Sequence, residues 1–178
     1  MKRIVRDLIL LMIFACPASR AATSEYQLEA VFLFNFTQFV EWPATVFERP
    51  DSPLAICVLG EDPFGDMLDN IVRDESVSGH PIIINRYRNA SMVNHCHILF
   101  FSRSEMQSFK PVLQSLKNSS VLTVAGFEGF ALSGGIIRFL VVENKLRLRI
   151  NMIAMHDAKL EISSKLLRQA ELIGHGED

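Results

Sequence analysis

His95-Cys96-His97 is the densest set of potential metal ligands in this 178-residue chain. Alternate residues of an extended strand would present both imidazoles on one face. A structural zinc site closes with four such ligands, and no third or fourth stands nearby in the sequence. Gly60 to Gly65 follows an apolar run and invites comparison with a phosphate loop. The Gly-Lys-Ser/Thr ending is missing, however, and no Gly-x-Gly-x-x-Gly occurs. Glycine at a strand-to-helix turn is explained by backbone geometry alone, and Gly134-Gly135 reads the same way, as a tight turn before a strand. Ser163-Ser164 lacks the glycines of a nucleophile elbow and is better placed at a helix start. Glu61, Asp62, Asp66 and Asp69 follow one turn and helix, the pattern of a solvated acidic face. His80, His156 and His175 stand alone. No reactive constellation emerges, so the residues indicate a protein that is not an enzyme and needs no metal or cofactor.

The compartment follows from the first residues. Lys2, Arg3 and Arg6 precede an apolar segment, Leu8 to Ala15, too short to cross a bilayer, and Ser19-Arg20-Ala21 is a small-x-small cleavage site. Residues 1–21 are thus expected to be a secretory signal peptide, with 22–178 as one domain. A lipidated Cys16 is the rival reading, against which Phe14 is bulky and Pro17 follows directly. Removing the leader takes four bases and one acid from a chain of net charge −2, leaving −5. No basic patch for nucleic acid remains. It also leaves Cys57 and Cys96, an even count in an oxidising setting, for which one disulfide is the natural inference.

The elements that must position any site begin with Leu28 to Pro43, LEAVFLFNFTQFVEWP. At helical spacing Leu28, Phe32, Leu33, Phe36, Phe39 and Val40 share one arc, with Glu29 intruding, and predict a core-facing stripe. Trp42-Pro43 should end the helix. The opposite arc carries Asn35, Thr37, Gln38 and Glu41 but also Val31, Phe34 and Trp42, more apolar surface than a solvated face needs. Either a second layer of the same chain or a partner protein covers it.

Further on, LAICVLG (54–60) is a run without alternation, as in a strand buried on both faces. Asp62 as N-cap and Pro63 predict a helix running to about Arg73. PIIINRY, HILFFS and VLTVAG read as strands. Ser102-x-x-Glu105 and Ser104-x-x-Gln107 predict a helix that continues to Lys117. IIRFLVVENKLRLRIN holds two apolar runs about Glu143-Asn144-Lys145, a β-hairpin. In its second strand Leu146, Leu148 and Ile150 face one way, and Lys145, Arg147 and Arg149 the other, so one side is covered. Asn151 and Ser163 are expected to cap two short helices. The sum is an α/β domain: a mostly parallel sheet with helices on both faces, plus a C-terminal antiparallel hairpin.

The runs AVFLFNFTQFVEWP, ICVLGEDPFGDMLD, CHILFFS, VLTVAGFEGFALSGGIIRFLVVENKLRLRINM and LEISSKLLRQAEL, in this order and spacing, resemble the YfiR family of periplasmic proteins. The resemblance covers the chain from about Tyr26 to Ile173. It implies an α/β fold and a structural disulfide at Cys57 and Cys96. It also implies a regulator that binds the periplasmic sensor region of a membrane-anchored, YfiN-like diguanylate cyclase and holds it inactive. An OmpA-like outer-membrane lipoprotein, YfiB-like, would sequester the repressor, so that cyclic di-GMP and biofilm formation rise. A homodimer is a further expected assembly. Some members carry a second cysteine pair flanking the Gly-Gly turn, absent here, and several carry an acidic residue where this chain has Arg149.

Partner anchors are expected among exposed aromatics, Met and Arg, which are enriched in interface cores. Those expected here are Phe34 and Trp42 on the first helix and Arg149 and Met155 near the hairpin end. The alternative is a periplasmic small-molecule binding module with a pocket at the strand ends near Gly60 and Gly126.

Overall fold

The unalternating apolar runs become the centre of the sheet. In the computed structural model, which describes residues 18–174, Leu54–Leu59 forms β2 with every residue buried. Ile98–Phe101 (β5) and Leu122–Ala125 (β6) are buried throughout as well. Such strands lose their apolar surface to helices on both faces, as parallel sheets require. β2 lies between β5 and the eight-residue strand His80–Tyr87 (β4), parallel to both. β6 follows β5, and Ile137–Val142 (β7) follows β6, all parallel. Lys145–Asn151 (β8) returns antiparallel to β7. Ala170–Ile173 (β10) closes that edge parallel to β8, and Ser76–Val77 (β3) closes the other, giving eight strands in the order β10-β8-β7-β6-β5-β2-β4-β3. The expected mostly parallel α/β sheet with a C-terminal hairpin is present.

The alternation of side chains along each strand divides the core in two. On one face Ile56, Val58, Ile98, Phe100, Leu122, Val124, Ile137, Phe139, Leu148 and Ile150 form the larger cluster. It is covered by α1 (Ala18–Phe39), α2 (Asp66–Val72) and the crossover from β8 to β10, which contributes Ala158, Leu160, Ile162 and Leu166. On the other face Ala55, Cys57, Leu59, Leu99, Phe101 and Ala125 meet Phe109 of α3 (Phe109–Ser115) and Phe127 and Phe130 of the β6–β7 connection. The Cys57–Cys96 disulfide, with Cα atoms 5.9 Å apart, joins the middle of β2 to the residues leading into β5.

Several local expectations change. The α1 stripe is rotated by about one residue: Glu29, Ala30, Leu33, Phe36, Thr37 and Val40 are buried, whereas Leu28 is 47% exposed. The buried Glu29 carboxyl sits against Gly126 at the end of β6, where a Cβ would lie 2.8 Å from Glu29 Oε1, so the glycine leaves the space the carboxyl fills. α1 ends at Phe39, before Trp42-Pro43, because Val40–Glu41 (β1) pairs antiparallel with Glu161–Ile162 (β9).

α2 starts at Asp66, four residues beyond the expected cap. Asp62 instead accepts from the Phe64 N–H at 2.8 Å and from Arg86 Nε at 2.6 Å. The helix expected from Ser102 to Lys117 is a 3-10 turn, Arg103–Glu105, followed by α3 from Phe109, because Ser104 Oγ is engaged by the Glu61 N–H at 3.0 Å. Asn151 does cap α4 (Met152–Asp157), accepting from the Ala154 N–H at 3.0 Å, and Ser163 caps α5 (Ser164–Leu167). Most of the expected leader lies outside the described residues; its last four, 18–21, are helical.

Candidate partner interface

The four expected contact residues are not brought together. Phe34, Trp42 and Met155 are half-buried and pack against the larger core cluster, on the α1 side of the sheet. Arg149 projects from the other side: the core-facing residues of β8 are Leu148 and Ile150.

Trp42 is tied into the fold. Its indole Nε1 donates to the carbonyl of His97 at 3.2 Å, and its ring meets the His97 ring edge-on, centroids 6.1 Å apart. Phe47 lies between two imidazoles, stacked on His80 at 3.8 Å and on His97 at 4.7 Å. His97 Nδ1 accepts from the Ala55 N–H at 3.1 Å, which places the proton of the neutral ring on Nε2. Burial foremost, then His80 and His95, lowers its pKa to about 4. His97 is therefore a neutral structural residue at neutral pH, and among the described residues no group of three or more ligands could hold a metal ion. A cleft of about 610 Å³ borders this aromatic set, with Trp42, Phe47, Leu54 and His80 among its walls.

The strand ends expected to hold a small molecule are crowded at Gly60 and leave little space beside Gly126. β2 has the next parallel strand in sequence, β4, on one side and the one after it, β5, on the other, so the topological switch point falls at Gly60. The hydroxyls of Ser102 and Ser104 fill the space that a Gly60 side chain would take. Beside Gly126 the cavity lined by Glu29, Phe100 and Arg103 measures about 10 Å³, room for one water at most. Glu29 there is 1% exposed, and burial first, then Glu25, raises its pKa to about 8, with Arg103 opposing.

The acidic series also acquires partners. Arg86 on β4 meets Asp62 through Nε at 2.6 Å, Asp69 through Nη1 at 3.1 Å and the Gly65 carbonyl at 3.0 Å. Hydrogen bonding from Arg86 holds the Asp69 carboxyl below the usual carboxylate range.

Sequence reasoning missed Arg138. The connection Glu143-Asn144 has positive φ at both residues, 50° and 58°, as a two-residue hairpin turn requires. It pairs Val142 with Lys145, and counting outward sets Arg138 directly opposite Arg149. Exposed apolar side chains include Leu28 and Val31 on α1, Leu132 in the β6–β7 connection, Val141 and Val142 on β7, and Ile153 on α4.

These features define a disulfide-bonded α/β domain with a two-sided core. The chain belongs to the YfiR/HmsC-like family, whose model matches residues 26–171. That family is a regulatory, non-catalytic one of the periplasm, acting in cyclic di-GMP signalling through a membrane diguanylate cyclase. No curated protein gives a significant match.

Proposed function

We propose that this chain is a periplasmic repressor that binds the sensor region of an inner-membrane diguanylate cyclase and holds it inactive. The observation that carries this reading is the family match, which spans both layers of the fold from Tyr26 to Glu171. Repression needs only that the chain bind one state of the cyclase better than the other, and its extent is set by that difference. Two features support a binding role. A disulfide ties β2 to the entrance of β5, and on one side of the outer strands β7, β8 and β10 neither core cluster extends.

Within this reading Arg149 contacts the partner. Phe34, Trp42 and Met155 act from behind, holding α1, β1 and α4 in place against the core. Export through the leader 1–21, capture by an OmpA-like outer-membrane lipoprotein, and homodimer formation belong to the same proposal. The cleft beside Trp42 and Phe47 favours a second reading, a small-molecule site at that position rather than at the strand ends.

The test is to express the chain with a membrane-anchored cyclase whose periplasmic sensor region is intact, and to measure cyclic di-GMP and co-purification. Lowered cyclic di-GMP together with co-purification is the expected result. Unchanged cyclic di-GMP with no co-purification would overturn the repressor reading.

A further inference from the structure

The antiparallel register of β7 and β8 stacks like charge on one face. Arg138 faces Arg149, Leu140 faces Arg147, and Val142 faces Lys145. Arg138 is next to Ala125 of β6, whose side chain belongs to the smaller core, so this row lies on the α3 side of the sheet. α3 and Phe127 and Phe130 cover β2, β5 and β6 there, while the crossover to β10 packs on the opposite side. Among the described residues neither core cluster extends over the arginine row, and the 3-10 turn Ala131–Ser133 reaches β8 only at its end, where Asn151 Nδ2 donates to the Ala131 carbonyl at 2.8 Å.

Its charge is poorly compensated. Among the described residues the only ion pair on this face joins Arg149 Nη2 to Glu171 Oε2 at 2.9 Å, from the neighbouring strand β10. Of the four cations Arg138, Lys145, Arg147 and Arg149, only Arg149 has an ion pair among the described residues, in a chain whose net charge is −2. Like charges directly opposite across a ladder destabilise it. Both Arg138 and Arg149 are partly withdrawn from water, and the Nε of each is buried without an acceptor among the described residues. A guanidinium in that position gains more from an added carboxylate than an exposed one does, because it is less screened.

We propose that this face docks an acidic protein segment in which carboxylates alternate with apolar side chains. The carboxylates would meet Arg138, Arg147 and Arg149, and the apolar groups Leu140 and Val142. The apolar pair in the row and the acidic balance of the whole chain favour a protein over a nucleic acid. This rests on the repressor reading only for the identity of the partner, the sensor region of the cyclase.

The probe is a peptide alternating glutamate and leucine, with its glutamine–leucine counterpart, titrated into the chain purified from the periplasm. Backbone amide shifts report where it binds. The glutamate peptide should move amides of β7, β8 and β10 and weaken as salt is raised. Arg138→Gln/Arg149→Gln should lower its affinity about tenfold or more, and Arg147→Gln, at an exposed position, should lower it to a smaller degree. No binding, shifts on other elements, equal affinity for the glutamine peptide, or equal binding by the double variant would overturn the proposal. The same double variant is then tested against the cyclase sensor region. If wild type binds and the variant binds equally, the acidic docking falls and repression stands. If wild type does not bind while the peptide results hold, repression falls and the docking face stands.

Discussion

The indole Nε1 of Trp42 donates to the backbone carbonyl of His97 across 3.2 Å, and so fastens the segment after α1 to the entrance of β5. That carbonyl also accepts from the Leu122 N–H at 2.8 Å, so losing the indole donor leaves it satisfied. Trp42→Phe should therefore lower stability by about 1 kcal/mol. Trp42→Ala, which also removes packing against His97 and the larger core cluster, should lower it by roughly 2–3 kcal/mol. Urea denaturation measures both. Binding of the Trp42→Phe chain to the cyclase sensor region should stay within about twofold of wild type, a change below half a kcal/mol. A large loss of binding with unchanged stability would instead make Trp42 a direct contact.

Glu29 and His97 give the stability a defined pH profile. The folded pKa of Glu29 is raised from 4.5 to about 8, so folding keeps a proton that the unfolded chain releases, and stability falls as pH rises through that window. The folded pKa of His97 is lowered from 6.5 to about 4, so the unfolded chain binds the extra proton, and stability falls as pH drops through that window. The two slopes, about 1.4 kcal/mol per pH unit each, cancel where the windows overlap. Melting temperature should therefore be flat between 4.5 and 6.5 and decline on either side. Glu29→Gln should abolish the decline above 6.5 and, with nothing left to cancel the His97 slope, make the acid-side decline begin already at 6.5. A wild-type chain that gains stability from 6.5 to 8 would contradict the buried, protonated carboxyl.

Reduction of Cys57–Cys96 reopens a loop with a sequence separation of 39. The chain-entropy relation gives about 3–4 kcal/mol for a loop of that length. Denaturation in the presence and absence of reductant should show a lower midpoint without loss of the folded baseline. An unchanged midpoint with both thiols titratable would show that the crosslink carries no stability.

Gly60→Ala tests the crowded switch point. Gly60 has φ of +93°, and a methyl group there would collide with the hydroxyls of Ser102 and Ser104. Strain and overpacking together should lower stability by roughly 2–4 kcal/mol. Adding Ser104→Ala removes one clash but also the acceptor of the Glu61 N–H, so recovery should be partial. Full recovery would mean that the backbone angle is harmless.

The sheet was readable because its central strands are short, wholly apolar runs, and the two cysteines left after the expected leader had only each other. The alternation of Lys145 to Ile150 announced a face left uncovered, which makes Arg149 legible. Arg138 required the register set by Glu143 and Asn144. Helix starts were misplaced where a capping side chain is used over distance: Asp62 meets Arg86, 24 residues on, and Ser104 meets Glu61, 43 residues back. The burial of Glu29 on α1 uses the space left at Gly126, a neighbour no local pattern reveals. β1, β9 and β10 are only two to four residues long, and their pairing is decided by the elements around them.

The crosslink has one more consequence, a matter of covalent connectivity. Between Cys57 and Cys96 the chain leaves the centre of the sheet, builds α2, β3 and β4, and comes back to the entrance of β5. A protease that cut once anywhere in that excursion, such as at the exposed Ser78-Gly79 turn, would therefore release nothing. The two pieces would remain one molecule until a reductant attacked the bond, and it could do so only from the side of Cys96, because Cys57 is completely buried.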